Sequence, residues 1–132
     1  MITGLNHIGI AVNNLKQALE IYESILGLKL VKVRTVEEQG VKIAMLLAGE
    51  TKIELLEPTN EESTVAKFIA KRGEGIHHIA LTVSNIESSL EEIKRKGIVL
   101  IDEKPRIGVE VRKIAFLHPK SMNNVLVELC EK

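Results

Sequence analysis

Strand-like and helix-like patterns of apolar residues alternate twice along this chain. Residues 5–12 (LNHIGIAV) form an apolar run of strand character, and Leu15, Ala18, Leu19, Tyr22 and Leu26 then recur at helical spacing. Asn13 or Asn14 caps that helix, and Gly27 stands where a left-handed C-terminal residue belongs. Strands are predicted near 29–36, 41–48 and 51–57, separated by EEQG and AGE, and Pro58 closes the group. Residues 60–73 read as a linking helix capped by Ser63 or Asn60 and closed by Gly73. The plan then recurs, with a strand over 77–83, a helix over 86–96 closed by Gly97, and strands near 98–102, 110–117 and 124–130.

The recurrence is literal in places. HIGIAVNNLKQAL (7–19) falls on HIALTVSNIESSL (78–90) at an offset of 71, and KIAML (42–46) falls on KIAFL (113–117) at the same offset. KIELLE (52–57) falls on LVELCE (126–131) at an offset of 74, the loop HPKSMNN absorbing the difference. Each half therefore reads β-α-β-β-β, with modules at about 1–58 and 75–132 and a linking helix at about 60–73. The repeat makes His7 equivalent to His78, and Glu54 equivalent to Glu128.

Strand alternation separates the adjacent histidines. In 5–12, His7, Gly9 and Ala11 share a face opposite Ile8, Ile10 and Val12; in 77–83, His78, Ala80 and Thr82 share a face opposite Ile79, Leu81 and Val83. The branched faces suit packing against a helix. The other faces set a histidine beside small residues, which suggests a cavity next to each imidazole. His77 is equated with Asn6 and falls on the bulky side or at the strand mouth, so it is set aside.

Glu54 and Glu128 interrupt otherwise apolar strands, and a mid-strand carboxylate is rarely buried without a partner or a metal. Taken singly, each would be read as facing solvent, and each histidine as a satisfied core or surface residue. Their equivalent places in two modules change that weighing, because a pseudo-twofold arrangement would bring all four together. Two imidazoles and two carboxylates suit a divalent transition metal such as Co, Ni, Mn, Zn or Fe. Without a thiolate in the set, an open catalytic site is favoured over a closed structural zinc.

Composition narrows the setting. The 132 residues balance 18 Lys+Arg against 18 Asp+Glu, with no basic stripe to suggest nucleic acid. Cys130 is the one cysteine, so no internal disulfide forms and a reducing cytoplasmic location is expected. The N-terminus lacks a secretory pattern, and no apolar run approaches the ~20 residues that span a bilayer.

Paired β-α-β-β-β modules with His, Glu, His and Glu on their first and last strands resemble the vicinal oxygen chelate superfamily over essentially the whole chain. Within it, ELLEPTNEESTVAKFIAKRGEGIHHIALTV, DEKPRIG and IAFLHPKSMNNVLVEL resemble the methylmalonyl-CoA epimerase family. The resemblance implies an α+β fold: one domain over 1–132, its tandem modules forming a curved eight-stranded mixed sheet around a metal cavity. It implies a divalent ion, Co2+ first and Ni2+, Mn2+ or Zn2+ otherwise, held by His7, His78 and Glu128, with Glu54 at a fourth position that is Gln in some members. It also implies a homodimer that interconverts (R)- and (S)-methylmalonyl-CoA. Inversion needs acid/base groups on opposite faces of the substrate carbon. Glu128 matches one of the family's glutamates. Some members carry another Glu where this chain has Ile43, so Glu54 is the candidate for the second face, while Lys42 should point the other way. Lys and Arg near the rim, Lys120 among them, are candidate coenzyme A phosphate partners.

Two other readings share the fold. A glyoxalase I-type lyase has the same ligand plan but typically a DPDG turn before its last strand, where this chain has HPKS. A non-catalytic small-molecule-binding protein would usually lack the full ligand set and line its pocket with aromatics, and this chain has only Tyr22, Phe68 and Phe116.

Overall fold

Strand β1 (Ile2–Ala11) contributes to each of the two units into which the chain divides. The structure, a computed structural model, describes residues 1–108, 110 and 112–132. One unit is His7–His77; the other is Met1–Asn6 with His78–Lys132.

In the His7–His77 unit, β1 is followed by α1 (Leu15–Leu19), which widens into π-helical turns over Glu20–Ile25. Then come β2 (Lys29–Val36), β3 (Val41–Ala48), β4 (Thr51–Pro58) and α2 (Thr64–Arg72). β1 and β4 run parallel, and the pairs β2–β3 and β3–β4 are antiparallel. Val12, Leu15, Ala18, Ala44, Leu46 and Leu55 form the core where the helix meets the sheet. The expected helix register holds for Leu15 and Ala18, which are buried, and fails for Leu26, which is 61% exposed. The cause is the π widening: Leu26 N donates to Ile21 O and Leu28 N to Tyr22 O, so the later side chains rotate out of phase with a 3.6-residue repeat. Gly27 does take the left-handed conformation expected of it (φ +77°).

The other unit contains the start of β1, most of β5 (Gly75–Val83), α3 (Ile86–Arg95), β6 (Arg106–Ile107), β7 (Lys113–Leu117) and β8 (Val127–Glu131). β5 and β8 run parallel, while β6–β7 and β7–β8 are antiparallel. Its core gathers Val83, Ile86, Leu90, Ala115, Leu117, Val127 and Leu129. With β1 counted in both units, the strand order is β2-β3-β4-β1-β5-β8-β7-β6, an eight-stranded mixed sheet. The α+β class and the repeated module are as the sequence pattern predicts.

One predicted strand is corrected. Residues 98–102 pair only briefly, with a bridge from Leu100 to Leu117 and bonds from Ile101 N to Phe116 O and from His118 N to Val99 O, and the edge strand is Arg106–Ile107. The Asp102 carboxylate supplies the reason: its Oδ2 accepts from Phe116 N at 2.8 Å, replacing a strand–strand bond, and Pro105 has no amide to offer. Within the predicted strand 110–117, β7 begins at Lys113; Val111 lies outside the described residues.

The helix starts show how deep the repeat runs. Asn14 Oδ1 accepts from Gln17 N, and Asn85 Oδ1 accepts from Ser88 N, each at 2.9 Å. Glu57 Oε2 also accepts from Leu15 N at 2.7 Å, and Glu131 Oε2 from Ile86 N at 3.0 Å. Each last-strand glutamate thus anchors the helix of its own unit by a charge-assisted bond at the positive helix end. We expect Glu131→Ala to lower unfolding stability by about 1 kcal/mol. The check is a urea midpoint that falls at unchanged slope.

Candidate functional site

The two units place histidine and glutamate in one ladder register. In the parallel pair β1–β4, Gly9 lies opposite Glu54. In the parallel pair β5–β8, Ala80 lies opposite Glu128. Each histidine precedes that small residue by two positions, so imidazole and carboxylate share a face with only a hydrogen or a methyl between them. They lean together accordingly: His7 Nδ1 is 3.6 Å from Glu54 Oε2, and His78 Nε2 is 3.7 Å from Glu128 Oε1. All four side chains are buried, at 6%, 9%, 6% and 7% residue exposure for His7, Glu54, His78 and Glu128. The solvent-facing alternative for the glutamates does not hold.

Around His78 and Glu128 the unit supplies further polar contacts. Cys130 Sγ donates to Glu128 Oε2 at 2.9 Å, so the two carboxylate oxygens have different neighbours. Phe116 presents itself edgewise to the His78 ring, with centroids 6.2 Å apart. Burial pushes the Glu128 carboxyl above its ordinary range, opposed by the Cys130 bond and the Arg106 charge. A buried carboxylate beside an imidazole has the donor chemistry a divalent cation favours, since the cation repays the cost of ionising the acid. The residues therefore fit the expected metal.

In the other unit, the face that carries Glu54 continues through Met45 to Lys32, and through Leu56 and Ile43 to Arg34. Ile43 is buried there at 6%, and Lys42 points the other way and is exposed, as alternation requires. Position 43 on that face is apolar.

His77 has a packing role. Its ring meets Phe68 of α2 edgewise at 5.0 Å, and the Arg72 guanidinium lies over the same Phe68 ring at 5.6 Å. Burial lowers its pKa, favouring neutral imidazole. We expect His77→Ala to keep its metal content while losing about 1 kcal/mol of stability; metal analysis beside thermal unfolding checks it.

Cys130 and Arg106 were missed from the sequence. Cys130 was within reach, because a residue two along from Glu128 must share its strand face. Arg106 was not, because its facing depends on the register of a two-residue edge strand.

Residues 6–116 match the model of the Glyoxalase/Bleomycin resistance protein/Dioxygenase superfamily. The chain belongs to this superfamily and, within it, to the family of the methylmalonyl-CoA epimerases. It is 46% identical to the Bacillus subtilis protein YqjC over 96% of this chain and 91% of that one. It is 39% identical to the mitochondrial methylmalonyl-CoA epimerase of Dictyostelium discoideum, over 97% of this chain and 78% of the relative. A solved methylmalonyl-CoA epimerase in complex with methylmalonyl-CoA and ammonium superposes with a TM-score of 0.92 at 38% identity, covering all of this chain and 96% of that one.

Proposed function

We propose that this chain is an isomerase that interconverts (R)- and (S)-methylmalonyl-CoA, its two units acting as one domain with His7, Glu54, His78 and Glu128 around a single divalent cation. The observation that carries this reading is the buried His–Glu pair set twice in the same ladder register. The relatives named as epimerases, which match over nearly the whole of this chain, support the substrate. When bound, the cation would supply Lewis-acid stabilisation of the charge that develops on the thioester oxygen, worth several kcal/mol.

The chain's own residues handle the proton. The hydrogen between the thioester and the free carboxylate is weakly acidic, and its removal leaves a planar carbon. Glu128, whose proton affinity burial has raised, takes it from one face. Glu54, from the other module, delivers a proton to the opposite face and so inverts the centre; a base on one side alone would only exchange it. With Ile43 apolar, Glu54 is the buried carboxylate of its own unit among the described residues and takes that second role. The thiol of Cys130 holds one oxygen of Glu128 in place while the other meets His78. In this reading cobalt is the working ion, the chain is a homodimer, and its lone cysteine stays reduced in the cytoplasm.

The experiment is incubation of one methylmalonyl-CoA epimer with Co2+-loaded protein in D2O, followed by proton NMR at C2. Deuterium incorporation with appearance of the other epimer is expected. No incorporation, together with turnover of a glutathione hemithioacetal, would sink this reading in favour of the lyase.

A further inference from the structure

Edge strand β6 sets Arg106 on the face that carries Glu128. Arg106 lies opposite Ile114, and Phe116, two residues further along β7, lies opposite Glu128. The guanidinium rests 5.3 Å from the centroid of Phe116, and the same ring meets His78 edgewise. Asp102 holds it from the side, Nε to Oδ2 at 3.5 Å, while that oxygen also accepts from Phe116 N. The Asp102 contact uses Nε; the terminal nitrogens form the planar fork that matches a carboxylate. The Arg106 side chain is 54% exposed, so an incoming ligand can reach it. An aromatic floor and a carboxylate brace thus hold a cation one strand beyond the strand paired with Glu128.

We propose that Arg106 reads the free carboxylate of the acyl group and so selects malonyl-type thioesters over monocarboxylic ones. This rests on the epimerase reading and names what that site uses to recognise its substrate. An acyl group that carries a free carboxylate must approach the buried carboxyl of Glu128, and a fixed guanidinium on the same face offsets that repulsion. A lysine in its place would carry the charge without the fork.

Equilibrium binding to Co2+-loaded wild type, Arg106→Gln and Arg106→Lys tests this with methylmalonyl-CoA, propionyl-CoA and free CoA as probes. We expect Arg106→Gln to weaken methylmalonyl-CoA by roughly 10- to 100-fold and to leave propionyl-CoA and CoA unchanged. Arg106→Lys should recover part of the loss, and unfolding midpoints should match the wild type. Equal weakening of all three probes would move the contact to the coenzyme phosphates and overturn the assignment, as would unchanged binding of methylmalonyl-CoA. Binding reports on Arg106 whether or not the protein turns over, whereas deuterium exchange by the wild type reports separately on the epimerase reading.

Discussion

Replacing His78 by alanine should strip the protein of its metal and lower epimerisation by about a thousandfold. The size follows from losing Lewis-acid stabilisation worth several kcal/mol, at 1.36 kcal/mol per tenfold in rate. His78 is buried on β5, and its strand face offers no substitute imidazole, because Ala80 and Thr82 carry no nitrogen donor and His77 lies on the opposite face. Removing it also changes what Glu128 faces, since the imidazole is 3.7 Å from Oε1. Metal analysis and epimerisation rate, measured on the same preparation, check the prediction. Full metal content in His78→Ala would remove His78 from the ligand set. The contrast with His77→Ala makes the result specific, since the neighbouring ring packs on Phe68 instead.

Substituting Glu54 by glutamine should separate proton exchange from inversion. If Glu128 and Glu54 serve opposite faces, Glu54→Gln still washes deuterium into the epimer whose C2 proton faces Glu128. It forms the other epimer roughly 10²- to 10⁴-fold more slowly, the range for losing one acid/base group. Glu128→Gln should show the mirror-image preference for the other epimer. The assay follows exchange by NMR and inversion by chiral analysis from each epimer in turn, with metal content as a control. Parallel loss of exchange and inversion from both epimers, with metal retained, would count against a two-base mechanism.

Much of this site was legible in the residues because it follows from periodicities that the chain cannot escape. An offset of 71 equates His7 with His78, and strand alternation turns His77 away. The structure adds that Gly9 and Ala80 stand directly opposite Glu54 and Glu128, so the small residues that suggested open space also allow imidazole and carboxylate to meet. What escaped depends on side chains replacing backbone. Asp102 takes the amide of Phe116, which moves the second module's edge strand from 98–102 to Arg106–Ile107 and brings Arg106 onto the Glu128 face. The π-helical turns after α1 are equally opaque to a 3.6-residue count, and they leave Ile21, Ile25 and Leu26 exposed. The bonds from Glu57 and Glu131 to the helix starts lie 42 and 45 residues apart in sequence, beyond any local capping motif.

The central claim is that two repeated His–Glu pairs hold one ion together. Cobalt titration of the metal-free chain, read by its visible absorption and by metal analysis after gel filtration, tests that claim most directly. We predict one Co2+ per chain, with the same site lost whether His7 or His78 is replaced by alanine. Two ions per chain, one lost with His7 and the other with His78, would contradict it.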